Sequence, residues 1–329
     1  MNNRVMRNCE ILANNTLTAS KAFAWDYNYS HVAFAASYPD REAELERVRT
    51  AKKIISSENS LFSNLAQSST RTVVAARILK VPDPVAEMNR IKAVYKLLKT
   101  RFFSSEYTAV AAVLICDSGK DPVYLTEKMR RIYDTLNSRH FLLTSYESLA
   151  VIALMAISDK SVEELAGESE AIYRGIKGDF FSKGDAYAIS NLLALYSEPV
   201  NVKCEAALRV RDELKRAGIR FGSYGTAAVI APLAIISLKY DDNMLVGQII
   251  QAEQYLSTKK VLGGILGVGK NIRSMLAVSA VTRAFSDDEN VSSVGATASA
   301  VVAAIAEEIA ILACICACTA ASASAASSS

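Results

Sequence analysis

Four stretches of the chain repeat one plan at an interval close to 40 residues, and that interval constrains the fold more than any other feature. FFSSEYTAVAAVL from Phe102, FLLTSYESLAVIAL from Phe141, FFSKGDAYAISNLLAL from Phe180 and RFGSYGTAAVIAPLAI from Arg220 each set an aromatic and a small or hydroxyl-bearing pair before an Ala-rich apolar run. Tyr107, Tyr146, Asp185 and Gly225 stand in equivalent places, 39, 39 and 40 residues apart. Such an interval marks a two-helix repeat.

The second helix of each unit carries its own signals. Asp83-Pro84 and Asp121-Pro122 put a capping carboxylate before a proline at the first helical position, and Ser161 with Glu164 spells a capping box. Pro39 and Pro199 punctuate two further units. From Leu125 the apolar residues run Leu125, Met129, Ile132, Tyr133 and Leu136, one stripe at helical spacing, with Lys128, Arg130 and Arg131 expected off it in solvent. The first helices differ. VAAVLI from Val110, AVIALMAI from Ala150 and AAVIAPLAII from Ala227 are apolar on every side and must be covered all round.

An amphipathic layer outside a fully buried one predicts an all-α fold of stacked helical hairpins with a period of about 40 residues, either a closed α/α toroid or a tight α/α superhelix. With weaker copies at 62–100 and at both ends, about six or seven hairpins are expected. We read residues 1–329 as a single domain, with capping hairpins over 1–60, core repeats over 61–260, and a C-terminal hairpin with an Ala/Ser-rich helix and tail over 261–329.

The FFSSEY, FLLTSY and FFSKGD openings, with a final Ala-rich helix ending in ASASAASSS, resemble an uncharacterised, domain-of-unknown-function family of Bacillus-type bacteria. The resemblance covers essentially the entire chain. It implies a cytoplasmic, all-helical protein and brings no activity and no catalytic residues with it.

The residues themselves argue against the common chemistries. GGILGVGKN, from Gly263 to Asn271, has phosphate-loop spacing but follows a helix instead of a strand, and Asn271 stands where a magnesium-binding Ser or Thr is needed, so it reads as a turn. With His31 and His140 the only histidines, a histidine triad or multi-histidine metal site is not expected. Cys9, Cys116 and Cys204 sit as packing residues, and Cys314, Cys316 and Cys318 alternate so that they do not converge on one metal. No metal and no cofactor is therefore expected. Trp25, in AFAWDYNYSHVAF, is expected in an aromatic packing knot or terminal cap, with a ligand-facing patch as the alternative.

Lys and Arg number 37 against 34 for Asp and Glu, and no basic block of the kind that neutralises many phosphates stands out, so nucleic acid is not an expected partner. The N-terminus shows no uninterrupted apolar run of the signal-peptide kind, which predicts a cytoplasmic protein. Residues 296–318 are long enough to span a bilayer, but Glu307 and Glu308 in their middle make a buried helix the expected state.

In a toroid the N-termini of the inner helices converge on one mouth. Those positions carry Glu106, Glu147 and Asp185 as weak catalytic candidates, and Tyr107, Tyr146, Tyr224, Lys270 and Asn271 as ligand-binding candidates. Helix-start carboxylates are also favoured by capping and by the helix dipole alone. The expected function is a non-catalytic binding or scaffold protein holding a protein, peptide or glycan on a concave surface. The alternative is an α/α-toroid hydrolase or lyase using paired carboxylates on a glycan or lipid-like substrate.

Overall fold

The computed structural model describes residues 1–58, 63–68, 70–180, 182–221, 226–264 and 267–286. They are helical throughout, with no strand among the described residues. In chain order the helices are α1 (Asn3–Ala22), α2 (Asn28–Ser37), α3 (Leu45–Glu58), α4 (Arg71–Ile78), α5 (Pro84–Leu98), α6 (Glu106–Ser118), α7 (Pro122–Arg139) and α8 (Leu149–Ile157). There follow α9 (Val162–Ile176), α10 (Lys183–Leu193), α11 (Val200–Arg216), α12 (Ile230–Ile236), α13 (Asp242–Ser257), the single turn α14 (Lys260–Gly263) and α15 (Lys270–Ser286). Short 3-10 turns, Tyr146–Ser148 and Thr226–Val229, lead into α8 and α12. None of the described helices is long and apolar enough to cross a membrane. The apolar segment 296–318, with its three cysteines, lies outside the described residues.

The capping residues start their helices as the sequence implies. Asp83 accepts the Val85 and Ala86 N–H groups ahead of α5, Asp121 accepts those of Val123 and Tyr124 ahead of α7, and Ser161 and Glu164 close a reciprocal box at α9. A cap of this kind is worth about 1 kcal/mol. Asp121→Ala is therefore expected to cost about that much, read as a small drop in the urea midpoint with the slope unchanged.

Two layers separate by burial. In α7 the stripe Leu125, Met129, Ile132 and Leu136 is buried while the opposite face is largely exposed. In α6 every residue from Tyr107 to Cys116 is buried, and in α12 every residue from Ile230 to Ile236. Helices pair along the chain as α1 with α2, α3 with α4, α5 with α6, α7 with α8, α9 with α10, α11 with α12 and α13 with α15. Within the outer layer α1, α3, α5, α7, α9, α11 and α13 touch in succession, and within the buried layer α2, α4, α6, α8, α10, α12 and α15 do the same. The two ends of the described chain also meet. Helix α1 packs on both α13 and α15, the Asn8 side chain donates to the Ala280 carbonyl at 3.0 Å, and Arg283 pairs with Asp40.

Lys128 departs from its expected place in solvent. It is buried, and its ammonium donates at 2.7 Å to the carbonyl of Ser158 at the end of α8. The orphan carbonyls of a helix C-terminus attract a cation, which explains the inversion. The same place recurs through the outer layer at 47, 87, 128, 168 and 209. Arg47 donates to the Leu79 carbonyl behind α4, and Arg209 to the Ser237 carbonyl behind α12. Glu87 and Glu168 invert the charge and draw in cations from elsewhere: Arg77 for Glu87, and both Lys160 and Lys203 for Glu168.

The three described cysteines are free thiols, and burial pushes Cys9 and Cys116 up to about 12, which leaves them inert as nucleophiles. Cys204 packs so tightly on Gly175 that a Cβ there would sit 2.9 Å from its sulfur.

Candidate functional site

Each pairing of an outer helix with the buried helix that follows it is joined by a turn, and among the described residues these turns carry six of the ten exposed large hydrophobic side chains, the other four, Leu17, Val85, Val123 and Tyr124, lying on outer helices. Of the large hydrophobic side chains that the described residues expose, Trp25 and Tyr27 lie in the α1–α2 turn, Phe103 in the α5–α6 turn, and Phe141, Leu142 and Tyr146 in the α7–α8 turn. Trp25 is 96% exposed, which overturns its expected place in a packing knot. Its turn holds its shape through other groups. Asp26 pairs with Arg71, and the buried His31 bonds through Nε2 to the Phe23 carbonyl at 2.9 Å, its pKa lowered chiefly by burial.

Neighbouring turns touch one another. Phe103 meets Tyr146 with ring centroids 6.0 Å apart, Tyr146 stacks on Tyr133 at 6.0 Å, and Tyr133 meets Phe102 edge-on. Arg130 lies over both Phe102 and Tyr133. One unit on, His140 sits edge-on against Tyr173 and Tyr187, bonded to Glu170 at 2.6 Å, and Thr144 bonds to the Tyr187 hydroxyl.

Further along this rim the α9–α10 and α11–α12 turns open into a cavity of about 470 Å³. Phe180, Leu214, Ile219, Phe221, Ala227 and Ile230 form its apolar wall. Arg211 crosses it, stacked over Phe180, bonded to Asp212 at 2.9 Å and to the Asp179 carbonyl at 2.7 Å, with the Asp179 carboxylate 3.8 Å away. Both flanking carboxylates are thus spoken for. Asp185, on the first turn of α10, is not: its backbone N–H is capped by Ser182, its carboxylate has no hydrogen-bond or ionic partner among the described residues, and burial raises its pKa. Lys215 and Arg220 complete the wall, both exposed.

The residues singled out from the sequence divide accordingly. Asp185 lines the cavity; Glu106 and Glu147 are not among its lining residues. Glu106 is half-buried at the start of α6, where Ser105 makes the cap, and Glu147 is exposed on the 3-10 turn before α8. Tyr107 is buried and Tyr146 exposed, although they stand in equivalent places. Lys270 and Asn271 are exposed at the start of α15, and Tyr224 lies outside the described residues. The exposed side chains Phe103, Phe141 and Leu142 escaped attention in the sequence, though the aromatic that opens each repeat was the signal. Arg211 and its two aspartates left none.

Residues 17–310 match a family described as a protein of unknown function, DUF4003. The chain belongs to DUF4003. No curated protein and no solved structure matches it. The DUF4003 match takes in every rim turn from Trp25 to Phe221 and runs on past Ser286, the last described residue.

Proposed function

We propose that this DUF4003 protein is a non-catalytic binding module: seven helical hairpins, repeating at about 40 residues, close into an α/α toroid whose rim turns hold a ligand. Closure is supported by α1 packing against α13 and α15 and by the Asn8 to Ala280 bond. The repeat is supported by the charged outer-helix residues 47, 87, 128, 168 and 209, spaced by 40 or 41. The reading takes the protein as cytoplasmic, in keeping with the three free thiols among the described residues.

The observation that carries it is the cavity around Asp185, a largely apolar recess with one unpartnered carboxylate. Recesses of this size and character are what small ligands occupy. Carboxylate-pair catalysis on a glycan needs two free acids, whereas in this recess Arg211 engages both Asp179 and Asp212. That favours binding over hydrolysis.

Saturation-transfer NMR on the full chain, with a mixture of sugars, amino acids and short peptides, tests the reading. Compounds that bind the parent protein and are lost in Phe221→Ala support it; a mixture with no binders, or binders unaffected by Phe221→Ala and Asp185→Asn, removes it. A second result follows from the raised carboxyl pKa. A raised folded pKa means that ionised Asp185 opposes folding above its unfolded pKa and costs nothing when protonated. Asp185→Asn is therefore expected to melt no lower than the parent, and up to about 2 °C higher, at pH 7, with the gain gone near pH 3. A drop at pH 7 would show that the carboxylate is there to start α10.

A further inference from the structure

We infer that the rim is a track for a polypeptide segment in the polyproline conformation, with an apolar side chain at every third residue and acidic residues between. This rests on the binding reading above and names its partner. Four consecutive turns each raise at least one large apolar side chain: Phe103 at 70% exposure, Phe141 and Leu142 at 71% and 81%, then the half-buried Phe180 and Phe221 over the cavity. Buried apolar residues in neighbouring helices are expected; exposed ones on two neighbouring turns, continued by half-buried rings on the next two, are not what core packing produces.

Spacing selects the kind of partner. Adjacent packed helices lie about 8–10 Å apart, so successive turns are separated by roughly that distance. A polyproline helix advances about 3.1 Å per residue and returns to the same face at every third one, so three of its residues cover one turn, whereas every third side chain of a strand lies on the opposite face. A peptide in the polyproline conformation can thus seat one apolar side chain on each hairpin in register. A docked α-helix cannot, since about 9 Å along its axis is six residues and brings the side chain to another face.

Charge selects its composition. The last turns of the outer helices and the loops beyond them carry Lys96, Lys99, Arg139, Lys177, Lys215 and Arg220, and Lys183 opens α10, all exposed and none in an ion pair among the described residues. The unpaired carboxylates on the same stretch of rim are Glu106, Glu147 and Asp185. Seven cations against three anions favour acidic residues in the guest. The three carboxylates, interleaved with the rings, disfavour a uniformly charged phosphate backbone, and Leu142 offers no stacking face to a base or a sugar.

The test uses the full-length protein and fluorescence anisotropy. The probe is a labelled peptide of four copies of Phe-Glu-Ser, one copy for each of the four turns. Controls are the same twelve residues rearranged so that the phenylalanines alternate, a single-stranded thymidine 12-mer and a labelled cellohexaose. The expected result is saturable binding of the repeated peptide, about tenfold tighter than the rearranged one. Phe103→Ser with Leu142→Ser should weaken it about tenfold further, with the melting temperature unchanged because both side chains are exposed. No saturable binding, equal affinity for the two peptides, or insensitivity to the double variant overturns the proposal. Tighter binding of the oligonucleotide or the glycan overturns it in favour of that partner. If the small-molecule mixture binds at the cavity while the peptide fails, the peptide track falls and the binding module stands.

Discussion

Cutting the chain after Asn290 is expected to leave the protein insoluble or to lower its melting temperature by more than about 10 °C. The reason is geometric. Helix α6 is buried at ten consecutive positions and α12 at all seven of its own, which at 100° per residue leaves no open face. Their described neighbours account for the flanks and the outer side: α4 and α8 beside α6 with α5 and α7 behind it, α10 and α15 beside α12 with α11 behind it. In the proposed toroid the side that remains faces the centre of the ring. Seven helices about 9–10 Å apart close on a circle of radius about 11 Å, and that leaves a central space one helix wide. The part of the sequence able to fill it is 296–318, apolar except near Glu307 and Glu308, tethered by nine residues to the end of a buried-layer helix. As a helix its 23 residues would reach about 35 Å, more than the full depth of α6. Uncovering even four or five large side chains at about 1.5–3 kcal/mol each approaches the whole stability of a domain. Calorimetry and sedimentation of the 1–290 chain decide it: a soluble product that melts with the full-length protein removes 296–318 from the core.

What could be read from the sequence was whatever a residue settles within its own turn of helix. Asp83, Asp121 and Ser161 cap because a short polar side chain before a periodic run has no better partner than the backbone beside it. The all-round apolar runs were legible for a similar reason, since no amphipathic placement accommodates them. Contacts across the chain were not legible. Nothing at Asn8 announces Ala280, 272 residues away. The rim shows the same limit within a single alignment: Tyr107 and Tyr146 are equivalent in the repeat, yet one is 8% and the other 44% exposed. The candidate carboxylates separated likewise, because a cavity beside Asp185 depends on Leu214 and Phe221 of the next hairpin and not on anything in α10. Trp25 and Lys128 exchanged their expected places because hydropathy ranks a side chain without knowing which carbonyls or which edge it will meet.

Lys203 is the sharpest case of that exchange, and removing its partner Glu168 is expected to be the most damaging single substitution among the described residues. The lysine has no exposed surface, and its ammonium is held by Glu168 at 2.7 Å and by the Tyr196 carbonyl at 2.9 Å. Lys160 reaches the same carboxylate at 3.1 Å and the same carbonyl at 2.7 Å. One carboxylate therefore neutralises two ammonium groups at the end of α10, and Glu168→Ala leaves both facing each other. Stranding a buried charge costs about 3–5 kcal/mol, and because Glu168 is 31% exposed the lower end of that range applies, a fall of roughly 6–12 °C. The pH dependence identifies the cause. Burial lowers the pKa of Lys203 while Glu168 raises it, so losing Glu168 lowers it further. A lysine with a depressed folded pKa binds fewer protons folded than unfolded, so stability rises with pH through that interval. The gap between variant and parent should be widest near pH 7 and should narrow as pH climbs towards the ordinary lysine range. Glu168→Gln with Lys203→Met, which removes both charges and keeps their bulk, should recover most of the loss. Denaturation at pH 7 and pH 9.5 reads all three; a Glu168→Ala protein that melts with the parent, or a gap that widens with pH, would show that the pair contributes only packing.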